Sequence, residues 1–497
     1  MSSAEQAPAA AAAATATQTT EAPSLLDQVI KATRPQSEKE QERAKDYFRQ
    51  FLDQAVKPGQ VVSKDVETNI KTWIGEIDKK LTAQLNEIMH EPAFQKLEST
   101  WRGLHYLVSQ SETSTMLKIR VLNIKKRELF KDLEKAVEFD QSSLFKKIYE
   151  EEYGQLGGQP YGMLVGDFEF GRNAEDISLL KMISGVAAAS HAPFVAAADP
   201  KLFNLDNWTE LANPRDLAKI FESVEYAAWK SFRQSEDSRY IALTMPRVLG
   251  RLPYGENFKR VTEFNFEEQV DGKEHNNYLW MNAAWAYAAR ITDAFAKYGW
   301  LARTRGVEGG GKVEGLPVHT FPTDEGGVAM KCPTEIAISD RREFELSNLG
   351  FLPLLHSKGN DFAVFMGAQS CQKPKTYFDA AANSNAELST KFNLILNTSR
   401  FAHYLKVMAR DKIGSFMEVG ECGVWLNNWI NNYVLANPEL VGDEEKAKRP
   451  LADAKVNVRA VEGKPGSYEA IAYLRPHFQL ETLSTSMRLV AEVPKKA

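Results

Sequence analysis

From Leu117 onward the apolar residues arrive in short runs set between helical stretches, and this rhythm restricts the fold more than any other feature of the chain. Leu117–Ile124, Met163–Phe168 and Pro193–Ala198 read as strands, with Arg127–Phe139 and Ala174–Ser190 as helices between them. Strands alternating with helices predict a sheet covered by helices, an α/β body. Asp340 and Glu343 cap a further short helix ending at Leu349-Gly350. Strands Phe351–Leu355 and Phe362–Met366 then close that body.

The chain before this body is helical. Ser37 and Glu40 form a capping-box pattern that opens a helix with Ala44, Tyr47, Phe48, Phe51, Leu52 and Ala55 on one face, stopped by Pro58-Gly59. A longer helix is expected from Ser63 to His90. Its Val66, Ile70, Trp73, Ile77, Leu81, Leu85 and Ile88 recur at three- and four-residue spacing, a stripe long enough to pack on a partner helix. Phe94, Leu97, Trp101, Leu104 and Val108 continue the layer after Pro92. Upstream, residues 1 to 23 are Ala, Thr, Gln and Pro in low-complexity order and are expected to be disordered. Ser24 as N-cap, Asp27, and the apolar Leu25, Leu26, Val29 and Ile30 make a short amphipathic turn ended by Arg34-Pro35. It reads as a docking motif or as a stub folded on its own domain.

Beyond the body, Tyr377–Val434 concentrates aromatic, Asn-rich and helix-forming residues. One helix is expected from Glu387 to Asp411, with Leu388, Phe392, Ile395, Leu396, Phe401, Ala402, Leu405 and Met408 on its buried face. A second run, Glu421–Val434, sets Trp425, Trp429 and Tyr433 among asparagines, and these aromatics suit a core or an interface. A charged loop, Gly442–Arg449, leads to strands near Val456–Val461, Tyr468–Leu474 and Thr485–Val493. In the last strand Met487, Leu489, Ala491 and Val493 alternate with Arg488, Val490 and Glu492.

No complete catalytic set is legible. Asp167 and Glu169 end a strand where parallel sheets often bind ligands, but no His, Lys or nucleophile follows at a completing spacing. Gly306–Lys312 approaches a phosphate-binding loop, yet position 313 is Val where Ser or Thr would reach magnesium, and Ala302-Arg303-Thr304-Arg305 is no apolar launching strand. A Gly-rich turn is the better reading. The eight histidines form no HExxH and no pair at helical ligand spacing, so neither a metal nor a cofactor is expected. Three scattered cysteines, Cys332, Cys371 and Cys422, suit a reducing compartment as buried thiols. A net charge of -5 offers no basic footprint for nucleic acid. With no apolar run long enough to span a membrane and no secretory signal, the expected location is the cytoplasm, without membrane insertion.

Several phrases carry a family resemblance. The run Ser399-Arg400-Phe401-Ala402-His403-Tyr404-Leu405-Lys406-Val407-Met408-Ala409-Arg410-Asp411-Lys412-Ile413-Gly414-Ser415-Phe416 resembles the large sheath subunit of the bacterial type VI secretion system, the TssC/VipB/ImpC family. Arg251–Gly255, Arg305–Gly310, Leu316–Phe321, Cys332–Ile336 and Gln372–Lys375 are similar to that family's phrases in its order, and the resemblance runs from about Leu25 onward.

The resemblance implies a structural subunit and no enzyme. Heterodimers with a small sheath subunit (TssB/VipA-like) would stack as a helical polymer around an inner tube protein (Hcp-like), on a baseplate, and contract to drive the tube outward. It implies a disordered arm (1–23), an N-terminal helical region (24–110), a central α/β body with an outer domain (111–375) and a C-terminal sheath domain (376–497) whose sheet is completed between protomers. Val66, Ile70, Trp73, Ile77 and Leu81 would bind the small subunit. Leu25, Leu26, Asp27, Val29 and Ile30 would dock a hexameric AAA+ unfoldase (ClpV-like). Met487, Arg488, Leu489, Val490, Ala491, Glu492 and Val493 would form the inter-protomer strand. The alternatives are a phage-type tail sheath, against which the partner-binding helices before Pro92 argue, and an α/β enzyme.

Overall fold

A computed structural model of the chain describes residues 37–55, 66–213, 215–464 and 466–480. The unfoldase-docking residues Leu25, Leu26, Asp27, Val29 and Ile30 and the strand Met487–Val493 therefore lie outside the described residues, as does the side chain of Val66. By compactness the chain divides into Met1–Glu87 with Tyr254–Glu268, and Ile88–Pro253 with Gln269–Ala497.

In the first unit, α1 (Glu38–Ala55) opens with the Ser37 hydroxyl accepting the Glu40 amide at 3.3 Å, the cap the sequence implies. The long helix α2 (Val66–His90) follows. On its stripe Ile70, Trp73 and Ile77 are half-buried, while Leu81 is 44% exposed. Within this unit the loop Tyr254–Glu268 is tied to α2 by buried Asn86, which donates to the Glu267 carbonyl at 3.0 Å. Phe266 fills the loop's own interior beside Tyr254 and Phe264.

The second unit begins with α3 (Pro92–Ser109) and α4 (Lys126–Lys135), then builds a six-stranded mixed sheet. Its strands are β1 (Leu164–Phe170), β2 (Phe194–Ala198), β3 (Ile241–Met245), β4 (Lys312–Val313), β5 (Leu352–His356) and β6 (Ala363–Phe365), in the order β1-β2-β3-β5-β6-β4. The first four in that order run parallel, and β6 pairs antiparallel with both β5 and β4. Helices α5 (Ala174–Ser190) and α6 (Ala283–Tyr298) cover opposite faces. Strand parity shows it: Phe194, Ala196 and Ala198 join Leu179, Leu180 and Ile183 in one core, whereas Val195 joins Ala284 and Tyr287 in the other. Burial on both faces explains why β2 is a continuous apolar run and β3 one interrupted only by Thr244, neither alternating.

α6 owes its close seat to small residues. Ala283, Ala284, Ala286, Ala288 and Ala289 are all buried, Asn282 caps the helix by accepting the Ala284 amide at 2.8 Å, and Gly299 ends it at φ +75. Against α6 lies Gly103 of α3, where an added Cβ would stand 2.3 Å from the Trp285 indole.

Downstream, α7 (Asp340–Asn348) precedes β5, α8 (Ala380–Leu388) follows the body, and α9 (Phe392–Asp411) and α10 (Val419–Asn431) pack with a hairpin of β7 (Leu451–Ala460) and β8 (Tyr468–Pro476). Its core is the aromatic block: Trp300 stacks on Phe401 at 4.1 Å, ringed by Trp429 and Tyr433. Asn427 acts as a side-chain peptide, donating to the Val456 carbonyl at 2.7 Å and accepting its amide at 2.9 Å, which joins α10 to β7.

Three expectations are corrected. The helix expected over Glu387–Asp411 is two helices, because the Ser370 amide bonds the Thr390 carbonyl and the Phe392 amide bonds the Ala368 carbonyl, interrupting the helical ladder. The charged Gly442–Arg449 loop contains a helix, Asp443–Lys448, with acidic residues in its first turn and basic ones in its last. Leu117–Ile124 forms no ladder; it runs extended beside the sheet.

Candidate functional site

The outer face of α3 carries a stripe that periodicity assigns to a core but the fold turns to solvent. Leu97 is 56% and Trp101 65% exposed, with Phe94 and Val108 also open. The cause is orientation. Glu98 accepts Arg251 Nε at 2.7 Å and Arg102 Nε at 2.6 Å, while Gly103 and Leu107 press inward on Trp285. Burial alone would raise the Glu98 carboxyl, but Arg251 and then Arg102 outweigh it and hold it below the usual range. These contacts leave the 97–101–108 side unpartnered among the described residues.

Beside that stripe runs the extended segment 116–125, with Met116, Val121 and Leu122 exposed. Such β-branched and apolar residues suit a strand, but their pairing groups meet no strand of the described residues. On the far side stands β1, which has β2 on one edge and no strand of the described residues on the other. α3, this segment and the open edge of β1 enclose a cleft of about 2010 Å³, lined by Leu97, Trp101, Leu104, Ile119, Val121 and Val165 among others. Gly166 is required in its wall, since a Cβ there would lie 2.4 Å from the Phe194 ring.

The two carboxylates singled out by sequence sit in this cleft. Burial raises the Asp167 carboxyl above the ordinary range, even though the Thr100 hydroxyl (2.5 Å) and the Trp285 indole (3.2 Å) donate to it. Glu169 receives a bidentate pair from Arg247 at 2.6 and 3.0 Å. Arg247 also reaches Glu335 at 3.6 Å, and Glu335 contacts His275 at 2.9 Å. Burial alone would lower the Arg247 pKa, but Glu169, then Glu335 and Asp199, drive it up. Lys126 pairs with Asp176 at 2.6 Å and donates to the Glu169 carbonyl at 2.6 Å. The tertiary structure thus brings together the Lys, His and Arg that linear spacing did not supply. Each is engaged in an ion pair or hydrogen bond, so the arrangement fastens α3, β1, α4 and α6 to one another.

The Gly-rich turn is confirmed as a turn. The Gly306 amide bonds the Phe365 carbonyl at 2.7 Å and the Phe365 amide bonds the Gly311 carbonyl at 3.0 Å, which fixes the loop on β6; the Gly306 amide and the Gly311 amide, which bonds the Gly306 carbonyl at 2.9 Å, are donors a phosphate cradle would present. Among the described residues no His, Cys, Asp and Glu converge as a metal set. No helix among them is long and apolar enough to cross a membrane. The outward turn of α3 was invisible to periodicity. The unpaired strand-like run Leu117–Ile124 was the available signal.

The fold and this cleft can be set beside known proteins. The family described as EvpB/VC_A0108, tail sheath N-terminal domain, matches residues 71–372, and the EvpB/VC_A0108 tail sheath gpW/gp25-like domain matches residues 381–493. The type VI secretion system sheath protein TssC1 of Pseudomonas aeruginosa is 54% identical over 479 residues, covering 96% of each chain. Among solved structures, a chain of the anti-feeding prophage (AFP) baseplate is 11% identical with a TM-score of 0.33, over 64% of this chain and 66% of that one. Two sheath domains matched in order and more than half the residues shared along nearly the whole length establish that this chain belongs to the TssC/VipB family of type VI secretion sheath proteins.

Proposed function

We propose that this sheath subunit pairs with a small sheath subunit (TssB/VipA-like), polymerises helically around an inner tube protein (Hcp-like) on a baseplate, and contracts in the cytoplasm to propel the tube. The observation that carries the pairing is the apolar lining shared by α3 and segment 116–125 beside the open edge of β1. A strand or helix of the small subunit laid there would pair backbone groups with β1 or 116–125 and cover Trp101. Burying Leu97, Trp101, Val108 and Val121 contributes roughly 6–12 kcal/mol before association and ordering costs. The α2 stripe of Val66, Ile70, Trp73, Ile77 and Leu81 would form a contact of its own with the small subunit. The engaged state of Glu169, Arg247 and Lys126 supports a structural subunit over an enzyme.

Two further parts of the reading concern segments outside the described residues. Met487–Val493 would complete a sheet on a neighbouring protomer, and Leu25, Leu26, Asp27, Val29 and Ile30 would engage a ClpV-like unfoldase by helix-in-groove docking. The test of the pairing is co-purification of the full chain with the small subunit. Trp101→Glu should abolish it while the circular dichroism of the chain is retained. Normal co-purification by this variant overturns the assigned surface.

A further inference from the structure

The Gly-rich turn that failed as a phosphate loop has another occupant. Gln479, three residues beyond β8, is gripped from three directions: Arg305 Nε donates to its Oε1 at 2.8 Å, Asn393 Nδ2 donates to the same oxygen at 3.0 Å, and its own Nε2 donates to the Ala302 carbonyl at 3.2 Å. Arg305 Nη2 also donates to the Leu480 carbonyl at 3.3 Å. The gripping residues are buried, Arg305 at 7% and Asn393 at 3% exposure, whereas Phe478 and Leu480 on either side of Gln479 are open. Apolar packing therefore does not hold this stretch; a desolvated, charge-assisted polar contact does.

The glycines explain how Arg305 is held. At Gly309 a Cβ would stand 2.2 Å from the Arg305 carbonyl oxygen, at Gly310 2.4 Å from the Arg303 carbonyl, and at Gly311 2.7 Å from Arg305 Cα. Gly310 sits at φ +90. The turn folds back over the Arg305 backbone so closely that side chains are excluded, and the Gly306–Phe365 and Gly311–Phe365 bonds lock it to β6. A guanidinium on such a base has little freedom to follow Gln479 if the chain pulls away.

We propose that Arg305, Asn393 and the Gly306–Gly311 turn form a clamp on Gln479 that fixes residues 479–480 on the body, so that a load on the residues that follow in sequence is delivered to the central sheet through β6. The consequence for assembly rests on the reading that residues beyond 480 link protomers; the clamp itself does not. Two measurements separate them. In the full chain with its small subunit, Arg305→Met keeps the aliphatic stem and leaves the sequence around Leu480 unchanged. Chymotryptic cleavage after Leu480 should then run about tenfold or more faster than in the parent, as expected when a charge-assisted hydrogen bond closing the segment is removed. Thermal unfolding of the body should stay close to the parent, and sheaths should form in lower yield. Unchanged cleavage overturns the clamp. If Arg305→Met does not fold, Asn393→Ala read by the same cleavage decides. Removal of residues 481–497 tests the linkage: normal sheaths from that truncation refute the linking reading while leaving the cleavage result to judge the clamp. Failed sheaths from the truncation with wild-type yield and stability from Arg305→Met refute load transfer through Arg305.

Discussion

Gly103→Ala sets local propensity against tertiary contact. In an exposed helix the change stabilises by about 1 kcal/mol, because alanine restricts the unfolded chain and favours helix. On α3 the new methyl would lie 2.3 Å from Trp285 Cδ1 and 2.4 Å from Nε1, so the indole must move. Overpacking of this kind costs about 1–3 kcal/mol. Displacement also breaks the 3.2 Å indole bond to Asp167, a hydrogen bond to a charged acceptor worth about 1.5–3 kcal/mol. Setting the helix gain of about 1 against these, the variant should be destabilised by about 1.5–5 kcal/mol. Urea unfolding followed by far-ultraviolet circular dichroism measures it as a lower midpoint at unchanged slope. The double variant Gly103→Ala with Trp285→Phe should be less destabilised than the sum of the single changes, because the smaller ring makes room for the methyl. A Gly103→Ala protein as stable as the parent, or strict additivity in the double variant, would refute the assigned contact.

Asp167 has its folded pKa raised by burial, so the folded state binds more protons and stability falls as pH rises through the unfolded and then the folded value. Asp167→Asn should therefore stabilise at neutral pH, with the gain vanishing in acid; a gain independent of pH counts against this. His403 is pushed down to about 3, first by burial and then by Arg400, so its contribution is present above the unfolded value of about 6.5 and is lost as pH falls from there toward 3. Its imidazole C–H shifts in nuclear magnetic resonance should stay those of the neutral ring at pH 5, and titration near 6.5 would contradict the burial. Asn427→Ala removes both bonds to the Val456 peptide and should cost about 1–3 kcal/mol, read as faster amide exchange at Val456, and unchanged exchange there would exclude Asn427 as a link between α10 and β7.

What the sequence alone determined is the part of the protein written in local periodicity. Ala174–Ser190 is a helix at both expected ends, and Leu164–Phe170 and Phe194–Ala198 are strands close to the expected limits, because apolar spacing and flanking turn residues act within a few residues. The family was legible from phrases such as Ser399–Phe416, and the missing hydroxyl at Val313 identified the Gly-rich stretch as a turn. Only the tertiary structure decided which side of α3 faces the sheet. Leu97, Trp101 and Val108 have the spacing of a core face, but periodicity states that residues share a side and not what covers it. The same limit applies to Asp167 and Glu169, whose partners Thr100, Trp285 and Arg247 stand 67, 118 and 78 residues away. It applies again to Gln479, which meets Arg305 across 174 residues. A hydrogen bond needs its partners within about 3 Å in space whatever their separation along the chain, so such pairs are set by the packing of the sheet and its helices.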